Sequence, residues 1–198
     1  MEGLPSGISA RNGAEAIAMR LFVAIPLATA VTGELKAASA RLRSAGDGLR
    51  WSMPESWHIT LQFLGNTSPE QYQCVVESLR GLHAPPVPVC LEGLSSFDRA
   101  GVLLAGVRLT PELVSLQERV TAATQHCGFV PEARPYQPHI TLARGKGQRH
   151  SLGDLKDKIR RAPSFTRFTA SEFLLYESFL SPAGSRYEVR DRFPIDKP

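Results

Sequence analysis

The chain has 198 residues, of which 42% are hydrophobic, 8% aromatic and 21% charged. That is enough to bury a core in one domain or two small lobes, and too apolar for global disorder. Lys and Arg outnumber Asp and Glu by 23 to 19 and the sequence pI is about 9.2, a balance that admits a phosphate-bearing partner without requiring one. No window approaches the roughly 18 consecutive apolar residues of a membrane span. The opening twenty residues carry no apolar secretory core, so a cytoplasmic protein is expected.

Residues 1–18 read as a flexible N-terminal extension and residues 19–198 as one domain; a short helix at Glu15–Met19 is the competing reading. Met19, directly before the apolar run RLFVAI, would serve as an original start. Arg20–Pro26 has the β-branched and aromatic content of a buried strand closed by proline, and Ala28–Ser44 the composition of a helix ending near Gly46-Asp47-Gly48. Trp51–Trp57 is irregular around Pro54, and His58–Leu64 is a strand stopped by Gly65-Asn66. Ser68-Pro69-Glu70 supplies a cap, a proline at the first helical position and an acidic first turn for a helix to about Leu79.

A proline-rich crossing at His83–Pro88 leads to strands at Val87–Leu94 and Val102–Leu109. Thr110-Pro111-Glu112 repeats the cap-proline-acid start for a helix to about Cys127. After an irregular Pro131–Pro138 comes a strand at His139–Arg144, then a basic segment with a helix at about Leu152–Arg161. Phe165–Tyr176 and Tyr187–Phe193 close the chain as strands around Pro182-Ala183-Gly184. Both halves thus run from an irregular proline-bearing approach into a His-led strand, which predicts an α/β (α+β) fold of two related, intertwined lobes. Cys74, Cys90 and Cys127 are odd in number with no zinc-ligand spacing, and all three are expected to be reduced, small apolar residues.

The chemistry lies in a repeat: His58-Ile59-Thr60-Leu61 returns word for word as His139-Ile140-Thr141-Leu142. With 5 His in the chain and the threonines it holds, chance supplies about a quarter of one His-x-Thr triplet. Side chains alternate along a strand, so His58 and Thr60 share one face while Ile59 and Leu61 anchor the other in the core. Two such strands facing each other bring two imidazoles and two hydroxyls to one point. A neutral imidazole can take a proton from attacking water and an imidazolium can give one to a departing oxygen, both near neutral pH. The hydroxyls can donate to non-bridging phosphoryl oxygens. The competing reading of a single such motif is an ordinary polar strand face; duplication at matching places argues against it. The acidic residues are scattered, and no carboxylate cluster suited to two Mg²⁺ ions stands out, so neither metal nor cofactor is expected.

On these motifs the chain resembles the bacterial and archaeal RNA 2′,3′-cyclic phosphodiesterases, also called 2′-5′ RNA ligases, of the two-histidine (2H) phosphoesterase superfamily. The resemblance runs through RLFVAIP, the Arg50-Trp51 pair, WHITLQFLG at Trp57–Gly65, RPYQPHITLAR at Arg134–Arg144 and ESFLSPAGSRYEV at Glu177–Val189. It implies two lobes, each an antiparallel sheet with flanking helices, around a central cleft. It also implies metal-independent opening of 2′,3′-cyclic phosphates at RNA ends, tRNA fragments among them, to 2′-phosphates, with 2′-5′ ligation as the reverse reaction. By motif position His58 becomes the proton donor and His139 the proton acceptor, with Thr60 and Thr141 holding the phosphate; the two identical motifs do not themselves divide those roles. A monomer with no membrane partner is expected.

Around the motifs, Arg144 lies on the core parity of its strand, so a strand that ends or twists there is needed for its guanidinium to reach a phosphate; pairing with a carboxylate is the alternative. Tyr136, in the loop before the second motif, is the preferred residue for stacking a base, against packing. Trp51, Trp57 and Phe63 are further stacking candidates; Phe63 shares parity with Ile59 and Leu61, so packing in the core is the preferred reading for it. The segment Arg144–Arg167 carries eight cationic side chains against two acidic ones, suited to an RNA backbone or to a solvated helix face. His83, His126 and His150 read as structural or solvated. Two other functions compete: a 2H activity on small cyclic nucleotides or 2′-5′ linkages, and an RNA-end binding module.

Overall fold

The computed structural model describes residues 18–44, 47–145, 159, 164–181 and 184–196. Strand β1 (Met19–Pro26) leads into helix α1 (Thr29–Leu42), then β2 (Leu49–Trp51), a turn of 3-10 helix at Pro54–Ser56, and β3 (His58–Thr67). Helix α2 (Pro69–Arg80) is followed by β4 (Val87–Val89), β5 (Leu91–Phe97) and β6 (Val102–Val107). Helix α3 (Pro111–Gln125) precedes β7 (His139–Gly145), and β8 (Phe168–Ala170), β9 (Glu172–Ser181) and β10 (Gly184–Pro194) complete the described chain.

The helix starts are local chemistry. Ser68 accepts from the Gln71 amide while the Gln71 side chain accepts from the Ser68 amide, a reciprocal cap on α2 with Pro69 at its first position. Thr110 accepts from the Leu113 amide at the start of α3.

Two four-stranded antiparallel sheets result, ordered β10-β9-β1-β3 and β2-β7-β6-β5, with β4 and β8 paired separately. The two sheets exchange strands along the chain. Strand β2, from the first half of the chain, pairs with β7 in the second sheet, and the last two strands return to the first sheet beside β1. Within this weave β1-α1-β3 and β6-α3-β7 are equivalent, each setting a motif strand next to the strand that precedes its helix. One continuous apolar cluster joins the lobes, with Ile59 and Ile140, the second residues of the motifs, fully buried in it.

Three expectations are corrected. Gly65-Asn66 does not end β3: Gly65 adopts φ +74°, open to glycine at no cost, and the strand continues to Thr67. The closing hairpin is longer than its apolar pattern, since β10 is largely solvated and its polar residues gave no strand signal. Cys74 and Cys127 are not reduced thiols but a disulfide that ties α2 to the end of α3, with their Cα atoms 5.7 Å apart. The two cysteines are 53 positions apart in sequence and meet through helix packing, a pairing with no local motif; Cys90 is free and half-buried. The extension at residues 1–17, the helix expected at 152–161 other than the buried Ile159, and most of the basic segment, His150 included, lie outside the described residues.

Candidate active site

Strands β3 and β7 face a common cleft of about 550 Å³, and His58, Thr60, His139 and Thr141 all line it. Each imidazole is fixed in the same way. His58 Nδ1 lies 2.7 Å from the Ser56 carbonyl and His139 Nδ1 2.8 Å from the Gln137 carbonyl, in both cases two residues upstream. A carbonyl only accepts, so Nδ1 carries the hydrogen in both rings and Nε2 is the atom left to exchange a proton. Neither Thr60 nor Thr141 spends its hydroxyl on a protein partner among the described residues.

The surroundings differ. His58 sits among rings: Phe22 at 4.7 Å between centroids, Tyr187 edge-on at 5.2 Å and Tyr176 at 5.9 Å. Burial there pushes its pKa down from 6.5 to about 4, with the Ser56 carbonyl opposing the fall and the neighbouring His139 adding slightly to it. The free protein therefore holds His58 neutral at pH 7. His139 meets a single ring edge, that of Phe97 at 5.1 Å. Burial also raises the Tyr176 phenol to about 12.

A bulge decides what else enters the cleft. Opposite β1, residues Val23 and Ala24 face Gln62 and Thr60, leaving Leu61 as the extra residue; opposite β6, Leu103 and Leu104 face Ala143 and Thr141, leaving Leu142. The extra residue is the fourth of the motif in both copies, and it reverses the alternation beyond it. Gln62 and Ala143 turn inward and are buried, while Phe63 and Arg144 turn out to line the cleft. Arg144 thus reaches the cleft without the strand ending, because β7 runs on to Gly145. It pairs across the sheet with Arg50, and neither guanidinium has a carboxylate partner among the described residues. Adjacent like charges without counter-ions suit an anionic ligand.

The same bulge overturns the placing of Phe63 in the core: it is 71% exposed. Tyr136, expected to stack a base, does not line the cleft. Its hydroxyl donates to the Thr60 carbonyl at 3.0 Å and its ring packs on the core, pinning the approach to the second motif against the first motif strand. Burial holds its phenol well above the usual value. Trp57 is buried; Trp51 borders the cleft but donates Nε1 to Asp47 and carries Arg43 over its ring at 4.9 Å. His83 is exposed near Asp196 and His126 caps α3, both away from the cleft. Sequence reasoning missed Tyr187 and Phe97, and weighed Phe63 as a stacking residue but preferred the core for it; the match of Phe63 to Arg144, each five residues after its histidine, was the available signal for its true place.

Residues 30–178 match the 2′-5′ RNA ligase superfamily. The chain belongs to it. An RNA 2′,3′-cyclic phosphodiesterase of Archaeoglobus fulgidus is 30% identical over 173 residues, covering 86% of this chain and 97% of that protein, which places the chain in a family of enzymes. Among solved structures, Escherichia coli LigT complexed with 3′-AMP superimposes with TM-score 0.76 at 23% identity, covering 91% of this chain and 99% of LigT. The Thermus thermophilus protein TT0787 does so with TM-score 0.71 at 28% identity, over 89% and 98%. The superfamily member is thus a mixed α/β phosphoesterase fold of the LigT type. Among its described residues no helix is long and apolar enough to cross a membrane.

Proposed function

We propose that the protein opens 2′,3′-cyclic phosphates at RNA ends, leaving a 2′-phosphate and a free 3′-hydroxyl, with His58 and His139 as the acid–base pair and no metal in the reaction. The observation that carries this reading is the convergence of two His-x-Thr motifs on one cleft, each imidazole offering Nε2. The substrate class comes from relatives named for that activity.

In the proposed reaction His139 Nε2 takes a proton from water as its oxygen attacks phosphorus. The P–O3′ bond breaks, and His58 Nε2 gives its proton to O3′. Thr60, Thr141 and Arg144 donate to the non-bridging oxygens, where charge concentrates. His58 is neutral in the free protein, so its role as acid requires the bound phosphodiester anion to draw a proton onto it. A 5′-hydroxyl in place of water gives the reverse reaction, a 2′-5′ linkage; water at its far higher concentration favours hydrolysis. A monomeric protein acting in the cytoplasm on cyclic-phosphate RNA ends, tRNA fragments included, completes the reading.

The test is an RNA oligomer ending in a 2′,3′-cyclic phosphate, incubated with the protein and EDTA. A 2′-phosphate product read by mass, lost in His58→Ala and His139→Ala, supports the reading. Unchanged turnover in both variants, or none in the wild type across the pH range, overturns it.

A further inference from the structure

The two motifs belong to different sheets, and among the described residues no ladder joins β3 to β7. A phosphate worked on by both histidines nevertheless needs the two strands at a set distance. Strand β3 is the outer strand of its sheet and pairs with β1 alone, so the carbonyls on its free side have no neighbouring strand to accept from. The Thr60 carbonyl takes its hydrogen bond from outside the sheet: the Tyr136 hydroxyl donates to it at 3.0 Å. Strand β7 lies between β2 and β6 and has no such free side. Its partner strand lacks the counterpart as well. Glu55 stands three residues before His58, as Tyr136 stands three before His139, and it is exposed.

Tyr136 is equally fixed on its own side. It lies between Pro135 and Pro138, whose rings restrict the backbone, and its ring packs against the core. The next residue, Gln137, gives its carbonyl to His139 Nδ1 at 2.8 Å, and the Pro138 carbonyl accepts from the Val107 amide at 3.1 Å. A short path thus runs from the backbone of the first threonine, through one phenol and one peptide, to the ring of the second histidine.

We propose that Tyr136 is a positioning residue for the reaction: its hydroxyl, held by the Thr60 carbonyl, sets where His139 meets a phosphate gripped on the first motif strand. This rests on the activity proposed above. The bond joins a side-chain hydroxyl to a backbone atom, so Tyr136→Phe removes it and keeps the ring that packs on the core.

The wild type, Tyr136→Phe, His139→Ala and the double variant are compared on an RNA end bearing a 2′,3′-cyclic phosphate, in single turnovers with excess protein where turnover is slow. The worth of one neutral hydrogen bond corresponds to a roughly 2- to 12-fold fall in kcat for Tyr136→Phe, with KM little changed. In the His139→Ala background no imidazole is left to place, and the same substitution leaves the residual rate as it was. A bond that serves the fold alone lowers the rate by one factor in both backgrounds. That result, or an unchanged kcat in Tyr136→Phe, overturns the proposal. A wild type without turnover overturns the proposed activity instead. Imidazole proton NMR during a titration with inorganic phosphate then judges Tyr136. A His139 response diminished in Tyr136→Phe while that of His58 is kept supports the positioning role; like responses in both proteins, or none, end it.

Discussion

Strands β3 and β7 share a four-residue sequence, a bulge at its last residue, a carbonyl tie on each Nδ1 and a hydroxyl two residues on, yet they sit in unlike settings. His58 is enclosed by three rings on the edge strand of its sheet; His139 meets one ring on a strand flanked on both sides. Past the bulge the first strand shows a phenyl ring and the second a guanidinium. Behind it, Gln62 meets the Thr124 hydroxyl of α3 at 2.7 Å, where β7 has only Ala143. A duplicated motif therefore repeats the reactive atoms and their backbone support, while the surroundings make the two copies inequivalent. In the proposed reaction, division of labour between them is a matter of environment.

The largest effect is expected from the shared atoms. His58→Ala and His139→Ala each lower kcat by about 10²- to 10⁴-fold in a steady-state assay on a cyclic-phosphate RNA end. Similar losses without unfolding confirm one site; a loss confined to one histidine breaks the pairing of the strands. The unlike residue on β7 comes next. Arg144→Ala lowers kcat/KM by roughly 10- to 150-fold, the worth of a hydrogen bond to a charged group, and Arg144→Lys recovers only part of it because the planar fork is lost. An unchanged kcat/KM would assign Arg144 to the solvated rim.

A stability test bears on the first strand. Strand β3 is backed by α3, which carries Cys127 just past its end and is tied through it to α2. With the cysteines 53 positions apart in sequence, the Cys74→Ser/Cys127→Ser variant loses about 2–4 kcal/mol in urea denaturation. No loss would show that the bond contributes nothing to the fold. The smallest effect follows from burial of His58. Its pKa is about 4 folded against 6.5 unfolded, so the unfolded chain binds the proton first as pH falls. Stability is full above pH 6.5 and declines toward pH 4, by at most about 3 kcal/mol from this group. His58→Ala removes that part of the slope between pH 7 and 4.5; an identical slope in the variant contradicts the enclosed ring.

The motif strands, two capped helices and the two-lobe plan were legible in the sequence because each rests on local chemistry: the Ser68 and Thr110 caps, the prolines after them, and the alternation through His58-Ile59-Thr60. What was not legible depends on register or on distant pairing. One extra residue at Leu61 exchanged the faces of Gln62 and Phe63, and strict alternation has no means of announcing a bulge. Tyr136 had the chemistry of a stacking residue, but its hydroxyl found the Thr60 carbonyl 76 residues back along the chain. Cys74 and Cys127 met only because α2 and α3 pack together.

Identical motifs with unlike jobs are tested most directly by a 2′,3′-cyclic phosphate whose bridging O3′ is replaced by sulfur, a leaving group that departs without a proton. Turnover of this substrate by His58→Ala should approach the wild-type rate, while His139→Ala, lacking the group that activates water, stays impaired. Equal impairment of both variants on the sulfur substrate would contradict the division of acid and base between the two strands.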